Sequence, residues 1–311
     1  MANCLCGVMP TFGQPGCYQT MGYPVKIGFQ DVKDSSGAAN GILPTDTLND
    51  AFISALINNA DTSKRLMLTP SVVNFTGNRE EMLTYTANNV NYKASEGNRP
   101  VQFEIIEGAT PQLLGELKKL ECRNIMFYGI TDESQLTGNG KDANLLRGYK
   151  IEKGTFDARF VGNQREDTAR IVVSFVISIV EKDEDAAFIA YDPNSTLDGI
   201  LLVDLLSYVD LIPVVMSLPL SPLPTTTGFV SKIDTIYGAK YDSAVFAGGV
   251  LADFTLYNET TASSVTITSV TEAPDGTYTF VIPAQSSADV LTLTFAKLGF
   301  YASSTLSITI P

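Results

Sequence analysis

Apolar and polar residues alternate along several stretches of the chain, and a period of two predicts β-strands with one buried face. Strands are predicted at 24–33, 82–87, 101–105, 125–130, 148–160 and 170–180, and both faces of the last are largely apolar, so we expect both to be covered. The segment 80–130 reads as strand, turn, strand, helix and strand, so we expect it to organise the fold. The strand at 170–180 is the natural partner that completes a sheet with it.

Two short helices are predicted between these strands. Thr47 and Asp50 are spaced as in a capping box, which predicts that the first helix begins there and ends at 58–61. The second helix begins with Thr110 as N-cap and Pro111 at the first helical position. Its leucines form one apolar stripe, so it requires packing against the sheet to be stable.

Two polar segments, 62–79 and 131–147, are long for loops in a compact domain. In an assembling protein such loops reach a neighbouring subunit. For 62–79, an irregular edge strand is an equal alternative. The candidate contact residues are Lys64, Arg65, Asn78, Arg79, Asp132, Glu133, Asn139 and Lys141.

The composition changes at 217–227, a stretch rich in Pro, Ser and Thr that is typical of a linker. Beyond it, turn residues recur every 8–12 residues, which indicates a small β-sandwich. Its predicted strands are 264–270, 277–282, 290–295 and 304–310. The predicted domains are therefore 1–216 and 228–311, joined by this linker.

The chain has 311 residues, a net charge of −13 and no histidine. Such acidity argues against binding nucleic acid through its phosphates, although DNA can pass an acidic wall without sticking. The most apolar run, 200–216, contains Asp204 and Asp210, so we expect no membrane insertion. No secretory leader is recognisable, which predicts synthesis in the cytoplasm.

Catalytic and metal chemistry are not indicated by any motif. Cys4, Cys6 and Cys17 lie close together, but without histidine they are expected to be reduced and packed, and no zinc site is predicted. The patterns of nucleophile elbows, zinc proteases, dinucleotide folds and phosphate loops do not occur. We therefore expect no enzyme, no catalytic residue, no metal and no cofactor.

The C-terminal part resembles a bacterial immunoglobulin-like domain of the kind appended to phage and surface proteins. The resemblance rests mainly on residues 275–278 (DGTY) and 297–300 (KLGF). The first two thirds resembles the major tail tube protein of long-tailed phages, in the order of elements from Met82 to Ile130, the two long loops and the late strand. The implied fold is mainly β: an antiparallel tail-tube-like β-sandwich or barrel flanked by one or two short helices, followed by a small immunoglobulin-like sandwich.

This resemblance implies a virion structural protein whose copies form stacked, hexameric rings. The implied partners are copies of the chain, other tail proteins and double-stranded DNA passing through an acidic lumen without specific binding. The implied location is the virion tail. The alternatives are a fibre or surface adhesin that binds a glycan or receptor, or another virion part such as a neck, sheath or capsid-decoration protein.

Overall fold

The computed structural model describes residues 23–43, 45–81, 83–95, 97–132, 134–139, 145–162, 168–178, 189–191, 202–236, 243–302 and 304–311. The chain forms two compact units. The first comprises residues 1–53 and 61–209, and the second comprises 54–60 and 210–311. Cys4, Cys6 and Cys17 lie outside the described residues, whereas Cys122 is a free, exposed cysteine.

The first unit contains twelve strands among its described residues. They are β1 (Pro24–Asp31), β2 (Met67–Leu68), β3 (Val72–Thr76), β4 (Leu83–Ala87), β5 (Val90–Ser95), β6 (Pro100–Ile105), β7 (Ile125–Thr131), β8 (Leu136–Gly138), β9 (Tyr149–Lys150), β10 (Asp157–Val161), β11 (Arg170–Val176) and β12 (Ile189–Tyr191). Its helices are α1 (Asp50–Ile57), whose second half groups with the second unit, and α2 (Pro111–Lys118).

Two antiparallel sheets and the separate β4–β5 pair contain the described strands of this unit. One has the order β12-β8-β7-β1-β2, with β9 also paired to β7, and the other has the order β10-β11-β6-β3. Their inner faces meet in an aromatic core: Phe29 of β1 lies 6.4 Å from Phe103 and 6.1 Å from Phe175, measured between ring centroids. The predicted pairing of strand 170–180 with the central segment is confirmed, because β11 pairs with β6.

Side-chain hydrogen bonds cap the N-termini of both helices. Thr110 caps α2 as predicted, since its side chain accepts a hydrogen bond from the Leu113 amide at 3.1 Å. The capping box predicted from Thr47 is wrong. Asn49 caps α1 instead by accepting from the Phe52 amide at 2.9 Å, and the Asp50 carboxylate accepts from the Leu206 amide at 2.8 Å.

The two segments predicted as long loops contain strands. In 62–79, β3 is an edge strand with a bulge, where Asn74 adopts a φ of 54°. The edge-strand alternative therefore holds for this part of the segment. In 131–147, β8 is buried, and Asn139 forms a bridge with Arg147.

The second unit is a β-sandwich with its own core. Its strands are β13 (Ile212–Ser217), β14 (Gly228–Ile236), β15 (Ser243–Val245), β16 (Phe254–Asn258), β17 (Ser263–Val265), β18 (Ser269–Glu272), β19 (Thr277–Val281), β20 (Val290–Phe295), β21 (Phe300–Ala302) and β22 (Leu306–Thr309). One sheet has the order β18-β19-β14-β13-β21, with β15 beside β14, and the other has the order β17-β16-β20-β22. Buried side chains such as Phe229, Phe280 and Phe295 pack between them.

The predicted mainly β fold with antiparallel sheets and short helices is confirmed. One pairing departs from it, since β13 and β21 run parallel. Strand β13 precedes the predicted linker at 217–227 and pairs with β14 after it, so this stretch connects two neighbouring strands. Within the described part of the chain, no helix is long and apolar enough to span a membrane.

Candidate functional site

Strands β4 and β5 form a hairpin of their own. Among the described strands they pair only with each other. The turn residues Asn88 and Asn89 have φ values of 51° and 60°. Two consecutive positive φ values define the type of tight turn whose twist matches a two-residue hairpin, and asparagine tolerates this conformation well.

This hairpin prolongs the β3–β6 pair beyond the four-stranded sheet. Thr76 lies opposite Gln102, the Glu80 amide then donates to the Asn98 carbonyl at 2.8 Å, and the β4–β5 ladder follows. The two chain segments are tightly apposed at this base, because a Cβ atom on Gly97 would collide with the Glu80 carbonyl. Glycine is therefore required where the hairpin leaves the sheet.

One face of the hairpin is apolar and exposed to solvent. Tyr85 lies directly opposite Tyr92, and their rings stack with centroids 5.4 Å apart. The exposed fractions are 64% for Leu83, 55% for Tyr85, 50% for Val90 and 44% for Tyr92. We call these four residues the hairpin's apolar face.

The opposite face of the hairpin is polar. There the Thr86 hydroxyl donates to the Asn91 side-chain oxygen across the two strands at 2.6 Å. An isolated two-stranded hairpin is at best marginally stable in water, since it has no sheet or helix to bury its apolar side. Burying a large apolar side chain contributes about 1.5–3 kcal/mol, so a partner that covers the apolar face would stabilise the hairpin substantially.

The four-stranded sheet offers two edges. Among the described strands, β10 pairs only with β11, and β3 pairs only with β6. An edge strand presents unpaired backbone groups that can pair with another chain. On β10, Phe160 lies opposite the buried Ile171, yet its side chain remains 43% exposed.

The outward face of this sheet carries both charged and apolar side chains, since Val172 lies between Arg159 and Glu104 in the register and is buried. By register it carries Arg159 and Asp157 on β10, Arg170 on β11 and Glu104 on β6. Arg170 and Glu104 approach to 3.4 Å between Nε and Oε2. The predominantly acidic wall predicted for a bore stays a prediction.

The predicted contact residues separate into two groups. Asn78 and Arg79 are exposed at the base of the hairpin. Asp132 lies at the same end of the unit, because it accepts from the Tyr23 amide at 2.9 Å and Tyr23 donates to the Phe75 carbonyl.

The remaining predicted residues do not join them. Lys64 and the neighbouring Arg65 lie at the other end of β1, where Lys64 pairs with Asp34 at 3.4 Å. Asn139 is buried, and Glu133 and Lys141 lie outside the described residues. The structure therefore brings together only part of the predicted set.

The acidic residues near Lys64 are held by local hydrogen bonds. Asp61 accepts from the hydroxyl and amide groups of Ser63 and Ser35. These hydrogen bonds, Ser63 first, hold the pKa of Asp61 well below its usual value against a smaller opposing effect of burial. Within the described residues, no group of three or more acidic or cysteine side chains is placed to hold a metal ion.

No protein-family model matches the chain, and no curated protein matches it at a significant level.

The apolar face of the hairpin was missed as a site. The alternation of residues 82–87 and the Asn88-Asn89 turn predicted strand and turn, but intersubunit contact was assigned to the polar loops on either side. One sequence feature could have indicated it, namely that large apolar residues share one face of a predicted two-stranded hairpin.

Proposed function

We propose that this chain is a structural subunit that binds copies of itself, and that the assembly is a phage tail tube. The observation that carries the proposal is the hairpin's apolar face, since exposed contiguous apolar surface rimmed by polar residues marks an interaction site. Leu83, Tyr85, Val90 and Tyr92 are all at least 44% exposed within a single copy.

The strand order of the sheet supports self-assembly in a ring. Neighbouring strands in β10-β11-β6-β3 are antiparallel, and the number of strands is even, so the two edge strands run in opposite directions. Copies related by rotation would therefore place β10 antiparallel to β3 of the next copy. A ring of this kind continues the sheet and removes its edges.

The tail tube is favoured by the order of the elements. A strand pair, one helix, a returning strand and a late partner strand follow each other as in the tube proteins that the chain resembles. In this arrangement the outward face of the four-stranded sheet would line the bore. Among its described residues that face carries two basic and two acidic side chains, and without an excess of Lys and Arg it would not retain DNA phosphates.

The second unit fits the immunoglobulin-like domain that the sequence resembles. Its two sheets, which are antiparallel except for the parallel β13–β21 pair, enclose one core, as expected for such a sandwich. We propose that it is an accessory domain of the subunit, and that assembly depends on the first unit.

Sedimentation velocity of the double variant Tyr85→Ser/Tyr92→Ser tests this proposal. We expect the wild-type chain to form large species above a threshold concentration. The double variant should raise that threshold at least tenfold, because losing about 1.4 kcal/mol of contact energy changes an equilibrium constant tenfold. Circular dichroism checks that both proteins are folded.

The matched control is Tyr257→Ser, which removes a 39% exposed tyrosine from strand β16 of the second unit. We expect this variant to assemble like wild type. Equal threshold concentrations for assembly in the control and the double variant would contradict the proposed role of the hairpin. A wild-type chain that stays monomeric and binds a glycan would instead favour the adhesin alternative.

A further inference from the structure

The first unit contains a cavity of about 120 Å³ that is partly open to solvent. It lies between the two sheets, lined by Phe75 and Val101 from the four-stranded sheet and by Phe127 from the other. Ile177 closes another side, and Arg99 and Thr137 contribute polar groups. Among the described residues the lining is therefore mainly apolar, and Arg99 is the one cationic side chain in it.

Two of the lining residues are glycines that pack closely against neighbouring side chains. Gly77 and Gly129 both line the cavity. A Cβ atom on Gly129 would lie 2.5 Å from the Thr137 hydroxyl oxygen, and one on Gly77 would lie 3.2 Å from the Phe75 ring. Larger residues at these two positions would therefore displace the side chains that form the walls of the cavity.

The cavity has the size of one aromatic ring. A cavity of about 150 Å³ lined by apolar side chains is known to accept benzene. Here the Arg99 Nε donates to the Gly77 carbonyl at 3.1 Å, which holds the guanidinium group at the cavity. A cation beside an apolar hollow favours the electron-rich face of an aromatic ring.

The same chain presents such rings on the hairpin. Tyr85 and Tyr92 form a stacked pair with 55% and 44% of their side chains exposed, so they do not fill the cavity of their own copy. Gly77 and Arg99 lie at the base of the hairpin and also line the cavity. One chain thus carries both an exposed aromatic pair and a cavity that can accept an aromatic ring. Two different surfaces of this kind can form a heterologous contact between copies.

We propose that one ring of the Tyr85–Tyr92 pair of one copy docks into this cavity of a second copy, with Arg99 facing that ring. This assignment rests on the proposed self-assembly and names the surface that receives the hairpin. It also predicts that the contact is directional, because the donating and receiving surfaces differ.

Photo-crosslinking tests the assignment. Tyr92→p-benzoylphenylalanine is mixed with ¹⁵N-labelled chain under assembly conditions, irradiated and digested. We expect crosslinks between light and heavy peptides, enriched at least tenfold at peptides containing Gly77, Arg99 or Thr137 over the rest of the chain. The control, Tyr257→p-benzoylphenylalanine, should give no such enrichment.

Three outcomes are distinguishable. Crosslinks between copies at the cavity support the assignment. Crosslinks between copies at another surface overturn it while leaving self-assembly intact. A wild-type chain that remains monomeric in the same buffer, with crosslinks only within one copy, overturns both the assignment and the proposed function.

A second measurement uses the unmodified protein and p-cresol, a soluble counterpart of the tyrosine side chain. At ten times its dissociation constant, p-cresol should raise the concentration needed for assembly about tenfold, because it competes for one site per copy. Methyl signals of Val101 and Ile177 should shift in the monomer. Assembly that is insensitive to bound p-cresol would contradict docking at this cavity.

Discussion

Asp61 joins two loops through hydrogen bonds that require its negative charge. Its carboxylate accepts from Ser63 on one side and Ser35 on the other. These bonds hold its pKa well below the ordinary value of 3.8. A carboxyl group whose pKa is lower in the folded state than in the unfolded state stabilises the fold when it is ionised.

This pKa direction predicts a dependence of stability on pH. The contribution of Asp61 is fully present above its unfolded pKa of 3.8 and is lost as the pH falls toward its folded pKa. We expect Asp61→Asn to be less stable than wild type at pH 7 and the difference to shrink below pH of about 4. Urea unfolding at several pH values measures this.

Ser63→Ala serves as the companion variant, since it removes the largest cause of the low pKa and keeps the carboxylate. We expect a smaller loss of stability with the same dependence on pH. A difference between wild type and Asp61→Asn that stays constant from pH 7 to pH 3 would contradict this interpretation.

Thr110 gives a second prediction for a single residue. Thr110→Ala removes the acceptor for the Leu113 amide, and the loss of an N-cap costs about 1 kcal/mol. Thr110→Ser keeps an acceptor and should remain within a few tenths of wild type. Equal destabilisation of both variants in urea unfolding would show that packing of the threonine methyl group matters more than the cap.

Helix caps were partly predictable from the sequence. Thr110 followed by Pro111 leaves little choice of register, because proline fits only the first turn. Before α1, in contrast, Thr47, Asn49 and Asp50 are all residues that cap helices. The sequence alone could not decide which of them caps the helix. In the structure the Asp50 carboxylate accepts a hydrogen bond from the amide of Leu206, which is distant in sequence.

At the scale of elements, the hairpin shows that a period of two predicts which residues share a face but not whether that face is buried. The alternation at 82–87 predicted which residues share a face, and Asn88-Asn89 predicted the turn. It could not reveal that Tyr85 and Tyr92 face solvent, because a half-buried strand and a projecting hairpin share the same period. Burial depends on which distant segments cover an element.

The edge strand β10 carries the next prediction. Phe160→Lys places a charge on an exposed edge, a substitution that discourages strand addition, so we expect assembly to weaken while the monomer stays folded. Sedimentation velocity measures the change. The matched control is Val281→Lys in the second unit, because Val281 is also 43% exposed. Equal assembly of the two variants would contradict a role for this edge.

For the whole molecule, the mainly β class and several strands were predictable, whereas connections between distant segments were not. Residues 290–295 form a strand with the predicted bounds. The stretch 217–227 has the composition of a linker, but it connects β13 to β14, which pair with each other. The composition of a short stretch does not predict whether the strands before and after it pair with each other.

The net charge of the molecule gives a prediction about assembly. Each copy carries −13 at pH 7, so copies repel one another at low ionic strength. Raising the ionic strength from about 0.01 M to 0.15 M shortens the screening length from about 30 Å to 8 Å. We expect the threshold concentration for assembly to fall, as measured by light scattering. A rise would indicate that ion pairs dominate the contact.

Cryo-electron microscopy of the purified, unmodified chain over a range of concentrations tests the central claim most directly, namely that the hairpin's apolar face binds another copy. We predict rings or tubes in which density from a neighbouring copy covers Tyr85 and Tyr92. Isolated particles at the highest concentration, or an assembly that leaves both tyrosines facing solvent, would contradict the claim.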